Sequence, residues 1–160
     1  MAGVDEKDRK ILRILREEGR ITLTELGKRI GITAASVKNR LEKLEEVGAI
    51  HGYSAVVDPS FLGNYVKVIF LLRLKFESPT VDSLISKLAK RECVESLYRT
   101  SGRTQAVIIA EFHDMEEMKE FASLIKRTLG TALDYVEWGV IYDSAKEHWI
   151  ETKNKRNKIM

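Results

Sequence analysis

Between Leu23 and Glu42 the chain spaces small, hydrogen-bonding and cationic side chains in an order suited to non-covalent recognition. On a helix opening at Thr33, the residues Ala34, Ala35, Ser36, Lys38 and Asn39 project outward while Val37 and Leu41 project inward. Asn carries a donor and an acceptor side by side, the arrangement that pairs with an adenine edge, and Lys donates to guanine acceptors. Ala and Ser are small enough to let such a helix enter a groove. Arg40 and Lys43 lie further round the same helix and suit phosphates. So do Arg20 and Thr22, close to the N-terminus of the preceding helix, where backbone N–H groups favour anions. The expected interface is therefore Arg20, Thr22, Thr33, Ala35, Ser36, Lys38, Asn39, Arg40 and Lys43, with double-stranded DNA as the partner.

Covalent and metal chemistry find little support. His51, His113 and His148 are far apart, and no His/Cys cluster has metal-ligand spacing. There is no glycine-rich phosphate loop and no G-x-S-x-G elbow. The single cysteine, Cys93, stands beside Val94 and reads as a small core hydrophobe. No catalytic residue, metal or cofactor is expected.

The elements that must hold the recognition face follow from periodicity and punctuation. Asp5 caps a first helix with Ile11, Leu12, Ile14 and Leu15 on one side, ended by Gly19. Thr22-Leu23-Thr24-Glu25 has the form of a capping box opening a short second helix, with Leu26 and Ile30 inward. Gly27 is small where two helices would touch, and Gly31 permits a left-handed turn four residues later. Thr33 then caps a third helix carrying Val37, Leu41, Leu44 and Val47, and Gly48 ends it. Two short helices joined by a tight turn form a helix-turn-helix. Ala49 to Asp58 reads as a strand-like linker closed by Pro59.

Beyond the linker the period changes. Tyr65 to Phe76 alternates, with Val66, Val68, Phe70, Leu72, Leu74 and Phe76 on one face. Ile69 and Leu71 make the middle of the other face apolar too. A helix from about Thr80 to Arg91, strands Val94–Thr100 and Gln105–Phe112, a helix capped by Asp114, and a strand Leu133–Tyr142 complete a β-α-β-β-α-β order. That order is a ferredoxin-like split unit, whose sheet packs both helices on one face. Ile69 and Leu71 on the free face predict a dimer, sheet against sheet. From Ser144 the pattern stops. Lys153, Lys155, Arg156 and Lys158 form a basic tail, read as a solvated end in preference to a nucleic-acid contact.

The expected architecture is α+β: a three-helix helix-turn-helix domain (residues 1–49), a linker with a strand (50–64), a ferredoxin-like domain (65–143) and a basic tail (144–160). The chain has 160 residues, enough for two small domains. Its 44% hydrophobic content is too high for a disordered chain, and no apolar run approaches a membrane span. A single cysteine and the lack of an apolar signal core lead us to expect a cytoplasmic protein. Net charge is +3. Residues 1–50 hold 11 basic and 9 acidic side chains, residues 51–142 hold 11 and 12, and residues 143–160 hold 5 and 3. The two ends are mildly basic and the middle is not, a balance that permits a nucleic-acid surface without requiring one.

The runs D-x-x-D-R-x-I-L, G-R-I-T, G-I-T-x-x-S-V-x-x-R-L-x-x-L-E-x-x-G-x-I-x-G-Y and D-P-x-x-L-G stand here in order from Asp5 to Gly63. This stretch resembles the DNA-binding half of the Lrp/AsnC family of transcription regulators, and the β-α-β-β-α-β half is similar to that family's effector-sensing domain. The resemblance implies a dimer built through the sheet domains, often assembled into tetramers, octamers or larger rings. It also implies a small-molecule effector, usually an amino acid, bound between dimers near the turn joining the middle strands. In this sequence that turn places Ser101, Gly102, Arg103, Thr104 and Gln105 at the site, with Asp134 facing the same pocket. The family's pattern often has Asp where Gln105 stands. Gln keeps hydrogen bonding and removes the charge, so an effector with a neutral or amide-bearing group is the expectation.

Two other readings share these features. Haem-pathway decarboxylases resemble the same two-domain architecture and would use His and Arg near a tetrapyrrole cavity. A nonspecific DNA-organising protein would use the same helices without reading sequence. The outward Ser36, Lys38 and Asn39 favour sequence-reading DNA recognition over both.

Overall fold

A computed structural model describes residues 3–147 and 150–151. The described residues up to Val56, together with those from Ser144 on, form one compact unit; Val57–Asp143 form the other.

The first unit is helical as far as Glu46. α1 (Glu6–Glu17) starts at Asp5, whose carboxylate accepts the Asp8 N–H at 2.8 Å while the Asp8 carboxylate accepts the Asp5 N–H at 3.0 Å. That reciprocal box lies one helix earlier than the sequence suggests. At α2 (Leu23–Ile30) only half of the expected box forms. Thr22 Oγ1 accepts the Glu25 N–H at 3.2 Å, but the Glu25 carboxylate turns to Arg29. The guanidinium offers charge and a better-placed donor than the cap N–H. α3 (Ala34–Glu46) follows, capped by Thr33. Ile11, Leu26, Val37 and Leu44 are sealed from solvent between the three helices, each burial worth roughly 1.5–3 kcal/mol.

Residues 51–58 carry no regular structure, so the strand expected in the linker does not form. A strand needs a neighbour for its N–H and C=O groups, and no pairing of this segment occurs among the described residues. A 3-10 turn, Pro59–Leu62, then opens on Asp58, whose Oδ1 accepts the Ser60 N–H at 3.1 Å.

In the second unit β1 (Val66–Leu74), α4 (Pro79–Ala89), β2 (Val94–Arg99), β3 (Ala106–Phe112), α5 (Met115–Leu129) and β4 (Leu133–Ile141) appear in the expected order. The sheet runs β2-β3-β1-β4 with every neighbour antiparallel. Val68, Phe70 and Leu72 of β1 pack with Ile108 and Phe112 of β3 against Ile85 and Leu88 of α4 and Phe121 and Ile125 of α5. Phe70 meets Phe112 and Phe121 edge-on. Phe76 does not continue the buried face as expected. The register with β4 shifts between Arg73 and Leu74, the strand stops at Leu74, and Phe76 is half exposed. Ile69 and Leu71 occupy the opposite face beside Val107 and Ile109, partly covered in the single chain.

Beyond Ser144 the sequence pattern foresees no element, yet Lys146–Glu147 (β5) pairs with Ile150–Glu151 (β6) as a short antiparallel ribbon. Two-residue strands are too short for alternation to show. His148 and the basic residues Lys153, Lys155, Arg156 and Lys158 lie outside the described residues.

Candidate nucleic-acid interface

The α2–α3 corner is built by close approach. A Cβ on Gly27 would meet the Ile32 carbonyl oxygen at 2.6 Å. Gly31 ends α2 with φ +72°, in the left-handed region, and the Ile32 N–H returns to the Gly27 carbonyl at 2.9 Å. Thr33 Oγ1 accepts the Ser36 N–H at 3.1 Å and donates to Ser36 Oγ at 3.0 Å. Thr33 therefore starts the helix, and its hydroxyl is already committed to the first turn.

With 100° per residue, Ala35, Ser36, Asn39 and Lys43 fall within an arc of about 100°, roughly a quadrant of α3, opposite the buried Val37 and Leu44. All four are exposed. Asn39 and Lys43 have no hydrogen-bond or ion-pair partner among the described residues, so their donors and acceptors are ready for a ligand. Lys38 lies at the rim, loosely paired with Glu42 at 3.7 Å. Ala34, expected outward, is half-buried. Arg20 is exposed and has no partner among the described residues; Thr22 is exposed, but its hydroxyl caps α2.

Arg40 is where the expectation and the geometry part. Its Nη1 donates to Asp5 Oδ2 at 2.7 Å and to Asp8 Oδ1 at 2.6 Å, and its side chain is only 29% exposed. Asp8 first, then Asp5, raise the guanidinium's pKa above its already high value. Arg40 is tied to α1 in this conformation through Nη1 alone. A second clamp is not evident from the sequence: Arg29 reaches Glu18 with Nη1 at 2.5 Å and Nη2 at 3.0 Å, and Glu25 with Nε at 3.2 Å. Glu25 and Arg29 stand four apart on a helix, a detectable pair; Glu18 could be found only from the fold.

The expected effector residues gather at one end of the sheet. Ser101, Gly102 and Arg103 are exposed, with Gly102 at φ +98°. Thr100 Oγ1 donates to the Thr104 carbonyl at 2.6 Å and closes the turn. Gln105 is half-buried, and its carboxamide is engaged by the chain's own backbone. Oε1 accepts the Leu74 N–H at 2.9 Å and Nε2 donates to the Gly102 carbonyl at 2.5 Å. Leu133 stands opposite that same Leu74, which brings Asp134 to the same sheet end. The Asp134 carboxylate is paired with Arg73 Nε at 2.6 Å. Arg99, not singled out from sequence, is held by Asp82 and Glu77 and donates to the Gln105 carbonyl at 3.3 Å. An open groove lined by Glu77, Asp82, Arg99, Thr100 and Ser101 runs beside this turn.

Burial first, then Glu117, pushes the Cys93 thiol up and keeps it protonated, which suits packing and not nucleophilic attack. Among the described residues no group of three or more His, Cys, Asp or Glu could hold a metal ion, and no helix is long and apolar enough to cross a membrane.

A helix-turn-helix unit followed by a ferredoxin-like α+β unit, with an exposed polar face on α3, is the architecture of a class of DNA-binding transcription regulators, and the family patterns that the chain matches decide for that class. The AsnC-type helix-turn-helix domain pattern matches residues 4–45, and the Lrp/AsnC ligand binding domain pattern matches residues 67–132. The chain is 44% identical over 128 residues to the uncharacterized HTH-type transcriptional regulator PH0045 of Pyrococcus horikoshii, covering 79% of this chain and 83% of that one. The crystal structure of PH0061 superposes with a TM-score of 0.80 at 25% identity, covering 96% of this chain and all of that chain. The transcriptional regulator NMB0573 of Neisseria meningitidis, solved as an L-Met complex, has a TM-score of 0.74 at 22% identity and covers 99% of this chain and 100% of its own. This chain belongs to the Lrp/AsnC family of transcription regulators.

Proposed function

We propose that this regulator reads a specific DNA sequence with the exposed quadrant of α3. Ala35, Ser36, Lys38 and Asn39 face base edges, while Arg20, Lys43 and the N-terminus of α2 at Thr22 hold phosphates. The observation that carries this reading is the exposed, unpartnered Asn39 amide on a helix whose other side is locked into the core. Residues 1–49 bind DNA and residues 50–64 link. Residues 65–143 pair two copies through Ile69 and Leu71 and sense an effector, and residues 144–160 form the tail. The protein acts in the cytoplasm without catalysing a reaction. The relatives bearing a functional name are regulators, which supports this over the decarboxylase reading.

The effector in this proposal is a neutral or amide-bearing small molecule such as an amino acid, held at Ser101, Gly102, Arg103 and Thr104 between dimers. The methionine complex of the Neisseria protein supports an amino acid. Gln105 shapes the turn, and Asp134 meets the ligand only if it yields its bond to Arg73. The test is selection of DNA fragments bound by the full chain, beginning with the region upstream of its own gene, followed by competition with scrambled DNA. Enrichment of a common, imperfectly palindromic site is expected. Recovery of unrelated fragments in proportion to input would contradict it.

A further inference from the structure

Arg40 lies at the edge of the face that α3 buries, next to Val37 and Leu44 on the helix wheel. A single nitrogen, Nη1, joins it to both carboxylates of the capping box that starts α1, at 2.6 and 2.7 Å. The Asp8 side chain is 3% exposed, so the contact is buried at its Asp8 end while Asp5 stays open to solvent. Removing one partner of such a pair leaves a buried charge uncompensated. Val37 and Leu44 hold α3 in the core, but apolar contacts are non-directional and define its rotation about its own axis less narrowly than hydrogen bonds do. The ion pair adds directional bonds that narrow that rotation further. A rotation of roughly 20° moves a side-chain tip about 6 Å from the helix axis by about 2 Å. That displacement exceeds the tolerance of a bidentate base contact from Asn39, the residue adjacent to Arg40.

We propose that Arg40 is a positioning residue for base reading, fixing the rotation of the recognition helix through Asp5 and Asp8. It is not a phosphate contact. The proposal rests on the reading of α3 as the groove-entering helix.

The experiment compares wild type, Arg40→Gln and Asp8→Asn full chains on a selected DNA site and on scrambled DNA across a salt series, at a temperature where circular dichroism shows each folded. Arg40→Gln should lower the ratio of specific to scrambled affinity about tenfold, the size of a single mismatched base pair, with the salt slope unchanged. Asp8→Asn should lower the ratio in the same direction. Should either not fold, Asp5→Asn carries the test at a more exposed carboxylate with an amide that still caps α1, and should lower the ratio about threefold. On an electrostatic account both Asp→Asn changes instead raise affinity for all DNA. Equal weakening on both DNAs by Arg40→Gln with a reduced salt slope would assign Arg40 to phosphate and overturn the proposal. An unmoved ratio in these variants overturns it as well. A wild type that binds both DNAs equally overturns the underlying reading, a result distinct from either.

Discussion

A Cβ carried by Gly27 would stand 2.6 Å from the carbonyl oxygen of Ile32, closer than packed atoms approach. The obstacle is backbone on both sides, Ile32 and then Thr33 and Ala34, so no side chain can swing aside. The absence of a methyl group at this position thus sets the angle at which α3 is presented.

Gly27→Ala should therefore destabilise the helical unit by about 1–3 kcal/mol even though Ala is the better helix former. Thermal unfolding followed by circular dichroism checks this. A variant as stable as wild type would mean that α2 and α3 part at little cost and that the corner is not set by this contact.

Acid should weaken the same unit. Asp5 is held below the ordinary carboxylate value of 3.8 by the Asp8 backbone N–H first and by Arg40 next. Glu18 is held below 4.5 by Arg29. A carboxyl whose folded-state pKa is depressed contributes its stability fully above the unfolded value and loses it as pH falls through the folded value. The melting temperature should fall from about pH 5 to about pH 3, and less steeply in Glu18→Gln. A melting temperature that stays level over that range would contradict the assignment.

Much of the helical unit is legible in the sequence because its determinants are local. Asp5, Thr22 and Thr33 cap within three residues, and Gly31 and Gly48 stop helices through their own φ. The β-α-β-β-α-β order is legible through the switch of hydrophobic period at β1. What escapes is decided by distant partners. Whether Arg40 meets a phosphate or a carboxylate depends on Asp5 and Asp8, over thirty residues away. Whether Gln105 offers its amide to a ligand depends on a strand end at Leu74. Alternation in the linker looks like a strand, but no partner strand among the described residues pairs with it.

Gln105→Ala should reduce stability, because it leaves the part-buried Leu74 N–H without its acceptor; the expected cost is about 1–3 kcal/mol. Thermal shift with and without a panel of amino acids separates the roles. Unchanged stability together with a vanished ligand shift would return Gln105 to the effector and contradict its role in shaping the turn.

Ile69→Asp combined with Leu71→Asp should convert an oligomer to monomer. Both side chains lie on the open sheet face beside Ile109 and Val107, and a carboxylate there would be buried without a partner in a sheet-to-sheet dimer. Analytical ultracentrifugation reads the outcome. A wild type that sediments as a monomer at micromolar concentration would contradict the pairing of copies through this face.

The central claim, that the exposed quadrant of α3 reads bases, is tested most directly by Asn39→Ala in gel shifts on selected and scrambled DNA across a salt series, with Lys43→Ala alongside. Asn39→Ala should cost roughly 1–3 kcal/mol on the selected site, relax preference at one base pair in each half-site, and leave scrambled DNA unaffected. Lys43→Ala should weaken both DNAs alike and lower the salt slope by about one for each phosphate the side chain no longer neutralises. Equal weakening by Asn39→Ala on both DNAs would contradict base reading by this residue, and binding untouched by either variant would show that α3 does not enter the groove.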